Sequence, residues 1–293
     1  MEIICCIPAF NEEMKIFEVV TNTMRFVNKV IVCDDGSKDN TAKLAEKAGA
    51  IVLKHKKNFG KGKALKTLFD YAVKSEADIV VTIDGDGQFL SEEIPKLINP
   101  IISKNVDIVN GYRFDNAEQM PKYRKIGNKM LDKVTNLATK LPYNDTQSGF
   151  RAYSKKAISC IEFNTNGFGV DSEIMVNAAS HDLKIIEEKV NVIYHTGAKT
   201  STKTPIIHAT EVITTIIELI AIRNPLRWLG IPGIILTLIG IVLAIQVIAM
   251  FNDTRYFSIP FTLGALGSIM LGVILLLMSV VLFSIIKSKN KDI

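Results

Sequence analysis

Two long apolar runs near the end of the chain constrain its architecture more than any other feature of the sequence. Leu229–Phe251 extends for 23 residues without a charge, and Phe261–Ile286 extends for another 26. A helix needs about 20 apolar residues to cross the hydrocarbon core of a bilayer. Two such runs in tandem, around the short polar segment Asn252–Pro260, disfavour core helices of a soluble protein. The sequence predicts a transmembrane hairpin over 229–286 and a basic tail over 287–293.

Basic residues concentrate on one side of the predicted hairpin. They are Arg223 and Arg227 before the first run, and Lys287, Lys289 and Lys291 after the second. The loop between the runs offers Arg255, which lies beside Asp253. By the positive-inside rule, both ends of the hairpin face the cytoplasm. The apolar run Ile3–Pro8 is too short for a signal peptide. We therefore expect an integral membrane protein whose globular part and C-terminus are cytoplasmic.

The part of the chain before the hairpin alternates short β-rich runs with helical patterns. The predicted strands are Ile3–Ile7, Lys29–Cys33, Ala50–Leu53, Ile79–Ile83 and Val106–Asn110. The predicted helices are Glu12–Phe26, Thr41–Ala48, Gly62–Lys74 and Ser91–Ser103. Several strands are apolar on successive residues, as strands covered on both faces are. This alternation predicts an α/β domain built around a mostly parallel sheet.

Polar or acidic residues follow three of the predicted strands. The first strand leads into Pro8–Glu13, the second into Asp34–Ser37 and the fourth into Asp84–Gln88. Ligands of open parallel sheets bind at the carboxyl ends of the strands. Surface loops are polar by default, but the recurrence after buried strands favours one shared binding site.

The Asp84-Gly85-Asp86 step has the residue types of a divalent-cation site. Two carboxylates separated by one small residue can reach the same hard cation, and Gln88 can add an amide oxygen. Mg²⁺ or Mn²⁺ held there keeps positions open for a diphosphate. The glycine-rich entry around Lys61 presents backbone N–H groups to an anion, although Ala64 breaks the Walker pattern. A solvated basic loop is an equally good interpretation of that entry.

Taken in order, these motifs resemble family-2 glycosyltransferases. They are Pro8–Glu13, Asp34–Thr41, Asn58-x-Gly60-x-Gly62-x-Ala64 and Asp84–Gln88. Two further motifs, Gly111–Phe114 and Asp145–Ala152, look like the branch that contains dolichyl-phosphate mannose and glucose synthases. The resemblance covers roughly residues 1–200, and the joint pattern is far more specific than any single motif.

The resemblance implies a GT-A fold, which is a Rossmann-like domain, and we assign it to residues 1–204. It also implies a reaction that inverts the anomeric carbon of a nucleotide-diphosphate sugar. It implies donor contacts from Pro8, Phe10, Glu12, Asp35, Lys61 and Asp84. It implies a Mg²⁺ or Mn²⁺ site at Asp84, Asp86 and Gln88, and it makes Asp86, Arg113, Arg124 and Arg151 the catalytic set, with the arginines near the phosphates. The resemblance also implies a lysine that closes over the donor. In this chain it is either Lys199 or Lys203, because one lies just before the matching position and the other just after it.

The acceptor chemistry follows from charge. A phosphate monoester is already a nucleophile near neutral pH and needs no general base. The protein must instead offset the repulsion between two phosphate groups. The basic stretch 112–140 supplies such charge, and we assign Arg124 to the acceptor phosphate. The segment 205–228 is predicted to be amphipathic, because Pro205–Asn224 carries apolar residues at helical spacing and can lie in the lipid interface.

The leading prediction is transfer of a hexose from a nucleotide-diphosphate sugar to a polyprenyl or dolichyl phosphate at a membrane. A rival is transfer to a hydroxyl of a lipid-linked or free glycan, which needs a base such as Asp145 or Glu173. A rival of another class is a non-enzymatic membrane scaffold. A nucleic-acid partner is disfavoured, since the net charge is only +5 and no recognised binding module is present. The donor base, the sugar and the oligomeric state are left open.

Overall fold

The computed structural model describes residues 1–113, 122–139, 142–163, 169–193 and 225–289. The chain divides into two compact units, Met1–Thr215 and Ile216–Ile293. The domain boundaries predicted at 204 and 228 remain predictions, and the segment Pro205–Asn224 lies outside the described residues.

The first unit contains a seven-stranded sheet. Its strands are β1 (Ile3–Ala9), β2 (Lys29–Asp34), β3 (Ile51–Lys54), β4 (Ile79–Thr82), β5 (Ile108–Tyr112), β6 (Arg151–Ser154) and β7 (Ile185–Lys189). Their order across the sheet is β3-β2-β1-β4-β6-β5-β7. All neighbouring strands are parallel except β6, which runs antiparallel to β4 and β5. The predicted mostly parallel α/β sheet is confirmed.

Helices alternate with these strands as the sequence predicts. They are α1 (Ile16–Thr23), α2 (Thr41–Lys47), α3 (Lys61–Lys74), α4 (Ile94–Lys104), α5 (Lys122–Thr139), α6 (Lys155–Cys160) and α7 (Val170–Ser180). The largest boundary difference concerns α1, which was predicted from Glu12 to Phe26. Asn11 has a positive φ of 57°, and the backbone N–H of Glu12 donates to Thr41 Oγ1. These contacts hold the chain in a turn, so the helix begins only at Ile16.

Alternate residues of the strands pack into two apolar layers, one on each face of the sheet. In β1, Cys5, Ile7 and Ala9 belong to one layer, whereas Ile4 and Cys6 belong to the other. The strands can therefore be apolar on successive residues, because helices cover both faces. Helices thus pack on both faces of the sheet, and the polar side chains lie in the loops at its edge.

The second unit, where described, is a hairpin of α8 (Ile231–Thr254) and α9 (Ile259–Lys289). Two spans, Leu226–Thr254 and Ile259–Ile285, are long and apolar enough to cross a membrane, and only 11% of each apolar window is buried within the protein. A core helix of a soluble protein would be mostly buried. The connection is shorter than the predicted Asn252–Pro260, because both helices continue into it.

Glycines allow the two helices of the hairpin to approach closely. A Cβ atom at Gly240 would lie 2.6 Å from Ile269 Cγ1 and 2.9 Å from the carbonyl oxygen of Ala265. Small residues at such positions let helix backbones meet in the absence of a hydrophobic driving force between them. The hairpin therefore has one defined packing face on α8, which contains Gly233 and Gly240.

Candidate functional site

The loops that follow β1 and β2 are bonded to each other at the carboxyl edge of the sheet. The backbone N–H of Asp35 donates to the carbonyl of Ala9 at 2.9 Å. The backbone N–H of Asn11 donates to Ser37 Oγ at 2.9 Å, and Asn11 Oδ1 accepts from the N–H of Lys38 at 2.9 Å. The two motifs predicted to share a site are thus adjacent. The same edge carries Pro8, which is half-buried, and the exposed ring of Phe10.

Carboxyl groups from the ends of β1 and β4 act on one another electrostatically. Burial raises the pKa of Glu12 to about 8, with a further contribution from the charges of Asp86 and Asp84. Burial and the charge of Asp84 raise the pKa of Asp86 to about 6, although Asp86 Oδ1 accepts from the backbone N–H of Gln88. We call Glu12, Asp84 and Asp86 the acidic cluster. Its members repel one another, so a bound cation would stabilise their charged forms.

Lys61, the first residue of α3, is held between two carboxylates. Its Nζ lies 3.1 Å from Asp84 Oδ1 and 3.1 Å from Asp171 Oδ2. Burial acts to lower the pKa of Lys61, but the charges of Asp171 and Asp84 outweigh it and the pKa is raised. A Cβ atom at Gly149 would lie 2.6 Å from Asp84 Oδ2 and 2.8 Å from Lys61 Nζ. A side chain at position 149 would therefore displace this ion triad.

Asp35 is buried and its carboxylate anchors the loop before α3. It accepts from the backbone N–H groups of Phe59 and Gly60, the latter at 2.7 Å. His55 Nδ1 lies 2.6 Å from Asp35 Oδ1. The side chain of Asp35 thus fixes the glycine-rich entry that leads to Lys61, and its predicted contact with a nucleoside stays a prediction.

Arg113 and Asp145 form a two-point ion pair beside the acidic cluster. Arg113 Nε lies 2.7 Å from Asp145 Oδ2, and Arg113 Nη2 donates to Asp145 Oδ1 at 3.0 Å. The guanidinium also lies over the ring of Phe89, 5.9 Å from its centroid. The charge of Arg113 lowers the pKa of Asp86, against the effect of burial. The structure therefore brings Arg113 into the electrostatic environment of the predicted metal site.

Arg151 requires a correction, because it was predicted to approach a phosphate. It is fully buried, and its guanidinium donates within the protein. Nε donates to Asn110 Oδ1, Nη1 to the carbonyl of Asp171 and Nη2 to the carbonyl of Thr146. Three of its five N–H groups are used in this way, and the side chain is fully buried, so the role that the structure shows for it is structural. Arg151 instead holds Asp171 and the turn that contains Thr146 in place.

We expect the change Arg151→Met to lower the melting temperature of the detergent-solubilised protein by roughly 10 °C, because removing one partner of a buried polar network costs about 3–5 kcal/mol. Met fills similar space but removes the donors to Asn110 Oδ1 and to the carbonyls of Asp171 and Thr146. The exposed Arg25 provides the matched control, and Arg25→Met should leave the melting temperature nearly unchanged. Equal melting temperatures for the two variants would contradict the structural role of Arg151.

Three residues of the predicted site lie wholly or partly outside the described part of the chain. Lys199 and Lys203 lie outside the described residues, and so does the side chain of Arg124, whose backbone belongs to α5. Gln88 is described and lies at the end of the Asp84–Gln88 motif, where its carbonyl accepts from the N–H of Ile193. These residues keep the roles predicted for them as predictions.

Asp171 is a member of the site that sequence reasoning missed. It lies in the first turn of α7, where acidic residues are common because they complement the helix dipole. Its position in a first turn therefore gives no indication that Asp171 pairs with Lys61, which is 110 positions away in the sequence. Its place two residues before Glu173 is the only sequence signal that could have indicated it.

Comparisons with known proteins identify the family of this chain. Residues 4–162 match the sequence model of a protein family that is described as Glycosyl transferase family 2. A UDP-N-acetylglucosamine–dolichyl-phosphate N-acetylglucosaminyltransferase of Methanococcus voltae is 35% identical over 211 residues, which cover 64% of this chain and 84% of that protein. A dolichyl-phosphate hexose transferase of Haloferax volcanii is 30% identical over 181 residues, covering 61% and 77%.

A solved structure shows the same fold. Glucosyl-3-phosphoglycerate synthase of Mycobacterium tuberculosis, crystallised with Mn²⁺, UDP-glucose and phosphoglyceric acid, superposes with a TM-score of 0.60 at 21% identity. The match covers 74% of this chain and 79% of that chain. The predicted GT-A fold is thereby confirmed. Since the family model spans more than half of the chain, the protein belongs to glycosyl transferase family 2 and is a glycosyltransferase.

Proposed function

We propose that this glycosyltransferase moves a sugar from a nucleotide-diphosphate donor onto the phosphate of a polyprenyl or dolichyl lipid. The acidic cluster at the carboxyl edge of the sheet is the observation that carries the proposal. It lies where open α/β sheets bind nucleotides. Its carboxylates can bind a cation, and the diphosphate of the donor can bind the same cation. The two relatives named above, whose names specify dolichyl phosphate, support the lipid acceptor.

The residues present fit a divalent cation shared with the donor. In the described part of the chain, no three His, Cys, Asp or Glu side chains are grouped to hold a metal ion by themselves. Mg²⁺ commonly binds through one or two carboxylates and completes its shell with water and substrate phosphate. Asp84, Asp86 and the amide of Gln88 would hold Mg²⁺ or Mn²⁺ here. Such an ion, when bound, stabilises the charge that develops on the departing nucleotide.

The ion pair of Arg113 and Asp145 disfavours Asp145 as the general base for a hydroxyl acceptor. A hydroxyl needs a general base, and Asp145 is a candidate for that role. Its carboxylate, however, is fully buried and accepts from Arg113 on both oxygens. The backbone N–H groups of Arg113 and Gln147 donate to it as well, so each carboxylate oxygen already accepts two hydrogen bonds. A phosphate monoester can attack the anomeric carbon directly, so we infer a single displacement with inversion of configuration.

The membrane placement completes the proposal. We infer a catalytic domain over 1–204, a juxtamembrane segment over 205–228 and a transmembrane hairpin over 229–286. The catalytic domain and the tail over 287–293 face the cytoplasm. The basic residues that flank the hairpin support this orientation. Under this arrangement, donor arrives from solution and the lipid phosphate arrives in the membrane plane.

A product analysis tests the acceptor class. Purified full-length enzyme is given a panel of nucleotide sugars with either a polyprenyl phosphate or the corresponding polyprenol in vesicles. We expect one sugar to appear on the phosphate lipid, detected by mass spectrometry as a sugar phosphodiester with inverted anomeric configuration. Transfer to the alcohol, or to a glycan hydroxyl but not to the phosphate lipid, would overturn the proposal.

The change Arg124→Ala should raise KM for the lipid phosphate by about 10–100-fold, because a charge-assisted hydrogen bond to phosphate contributes about 1.5–3 kcal/mol. The affinity for nucleotide should be unchanged. Steady-state kinetics on both substrates, with nucleotide binding measured by calorimetry, separate the two effects. An equal loss of nucleotide affinity would reassign Arg124 to the donor.

The raised pKa values predict a pH-dependent stabilisation by metal. In the metal-free protein, the pKa values of Asp86 and Glu12 lie above those of unfolded acids, so their contribution to stability falls as pH rises through about 6 and about 8. A cation binds the deprotonated carboxylates and should reverse this loss. We expect Mn²⁺ to raise the melting temperature more at about pH 8 than at about pH 5. No metal effect is expected in Asp86→Asn, and a pH-independent effect in the parent would contradict the prediction.

A further inference from the structure

Gln246 is a polar side chain within the first apolar helix of the hairpin. It lies on α8 and is exposed, and the described part of the chain provides no hydrogen-bond partner for its amide. Thr237, in the same helix, shows the contrast, because its hydroxyl donates to the carbonyl of Gly233 at 2.8 Å. A glutamine amide has two donors and an acceptor oxygen. In a hairpin that spans a membrane, this amide faces hydrocarbon without a partner.

The depth of Gln246 makes an unpartnered amide costly. It precedes the end of α8 at Thr254 by eight residues, which is about 12 Å along a helix. It also lies within the uncharged run Leu229–Phe251. Lipid tails offer no hydrogen bonds, so polar groups at this depth are satisfied by another helix.

The exposed residues around Gln246 form a regular seam. They repeat at intervals of four and three positions, and they are Ile235, Ile239, Val242, Gln246 and Ala249. This is the spacing of the a and d positions through which two helices pack along a left-handed pair. The seam is distinct from the face that packs against α9, which contains Gly233 and Gly240. No described part of this chain covers the seam, and Gln246 distinguishes it from the other exposed residues of the run Leu229–Phe251, which are apolar at the same spacing.

We propose that this seam binds the same seam of a second copy of the chain in a parallel pair, with the two Gln246 amides bonded to each other. The proposal rests on the hairpin spanning the membrane. Copies inserted with the same topology are related by a two-fold axis along the membrane normal, which places Gln246 opposite the partner's Gln246 at the same depth. Because an amide both donates and accepts, it is complementary to itself. A polar residue at one seam position also fixes the register of the pair.

Cysteine cross-linking in liposomes tests the geometry. The purified full-length protein carries Cys160→Ser, while Cys5, Cys6 and Cys33 remain because they are buried. Val242→Cys lies in the seam, and Ile241→Cys is the matched control at nearly the same depth, about 100° around the helix. Both positions are exposed, at 54% and 43%. We expect oxidation to give a disulfide-linked dimer with Val242→Cys and not with Ile241→Cys. Equal cross-linking at both positions, or none at either, overturns the proposal.

A second change tests the role of the amide. Gln246→Leu, added to Val242→Cys, should weaken self-association in the bilayer by about 10-fold, as measured by the fraction cross-linked at increasing lipid dilution. An unchanged fraction would show that the amide has no part in pairing. Glycosyl transfer is measured in parallel and should not change, because Gln246 lies outside the catalytic unit. An inactive parent enzyme with intact pairing would count against the proposed function alone.

Discussion

Asp86→Asn is expected to lower kcat/KM for glycosyl transfer by about 10³-fold, which corresponds to roughly 4 kcal/mol of lost transition-state stabilisation. Asp86 and Asp84 follow the same buried strand, and burial together with the charge of Asp84 raises the pKa of Asp86. Asparagine keeps the size of the side chain and removes its charge. The site then attracts a cation less strongly, and the departing diphosphate is stabilised less.

The measurement is the initial rate with saturating lipid phosphate, across a titration of Mn²⁺ and Mg²⁺. Asp70→Asn is the charge-matched control, because Asp70 is exposed on α3. It should retain the rate, the metal dependence and the melting temperature of the parent, and Asp86→Asn should melt no lower than the parent in chelator, because a destabilising buried charge is removed. If Asp86→Asn transfers sugar at the parent's rate, or if the parent is fully active in chelator, the metal site is assigned wrongly.

Removal of everything after Lys203 is expected to lower the rate on vesicle-embedded long-chain lipid phosphate by about 100-fold or more. The three strand-end motifs all precede this cut, so the acidic cluster remains. The apolar hairpin is lost, and with it, under the proposed function, the confinement of enzyme and acceptor to one surface. Confinement raises the effective concentration of acceptor without adding any contact.

A short, water-soluble prenyl phosphate serves as the internal control for this truncation. Because it reaches the site from solution, its rate should fall by less than about 10-fold. Nucleotide binding by calorimetry verifies that the truncated protein is folded. Should the truncated enzyme bind donor and still glycosylate vesicle lipid at the full-length rate, then the hairpin has no part in acceptor access.

The sequence predicted the central strands well, because their residues are buried on both faces. The strands β1, β2 and β4 appear within two residues of their predicted ends, since continuous apolar runs bounded by polar loops are a local signal. The short strands β6 and β7 were not predicted. β6 contains the buried Arg151, and β7 ends in Glu187, Glu188 and Lys189 at the sheet edge. Because these strands contain charged residues, they do not stand out as apolar runs in the sequence.

The acidic cluster could be predicted from the sequence because topology brings the carboxyl ends of neighbouring parallel strands together. In the register of β1 and β4, Cys6 pairs with Thr82, so the loops that contain Glu12 and Asp84 emerge side by side. Pairings such as Lys61 with Asp171 depend on segments far apart in the chain. No local pattern encodes them. The same limit explains why a buried structural arginine, Arg151, was interpreted as a phosphate ligand.

The reversed direction of β6 determines where this protein tolerates insertions. β5 ends at Tyr112 on the carboxyl edge of the sheet, and β6 begins at Arg151 on that same edge, because the two strands run antiparallel. The intervening 113–150 segment is therefore one excursion that leaves and returns at the ligand edge, with both of its ends fixed by the sheet. An insertion that leaves α5 and the buried 142–150 turn unchanged costs little, since closure entropy grows by only about 0.6 kcal/mol for each doubling of a flexible connection. Residues that meet an acceptor can thus be added or exchanged here without altering the strand register that positions the acidic cluster. Under the proposed function, the parts of this excursion outside α5 and the 142–150 turn are where acceptor preference can diverge while donor chemistry is retained.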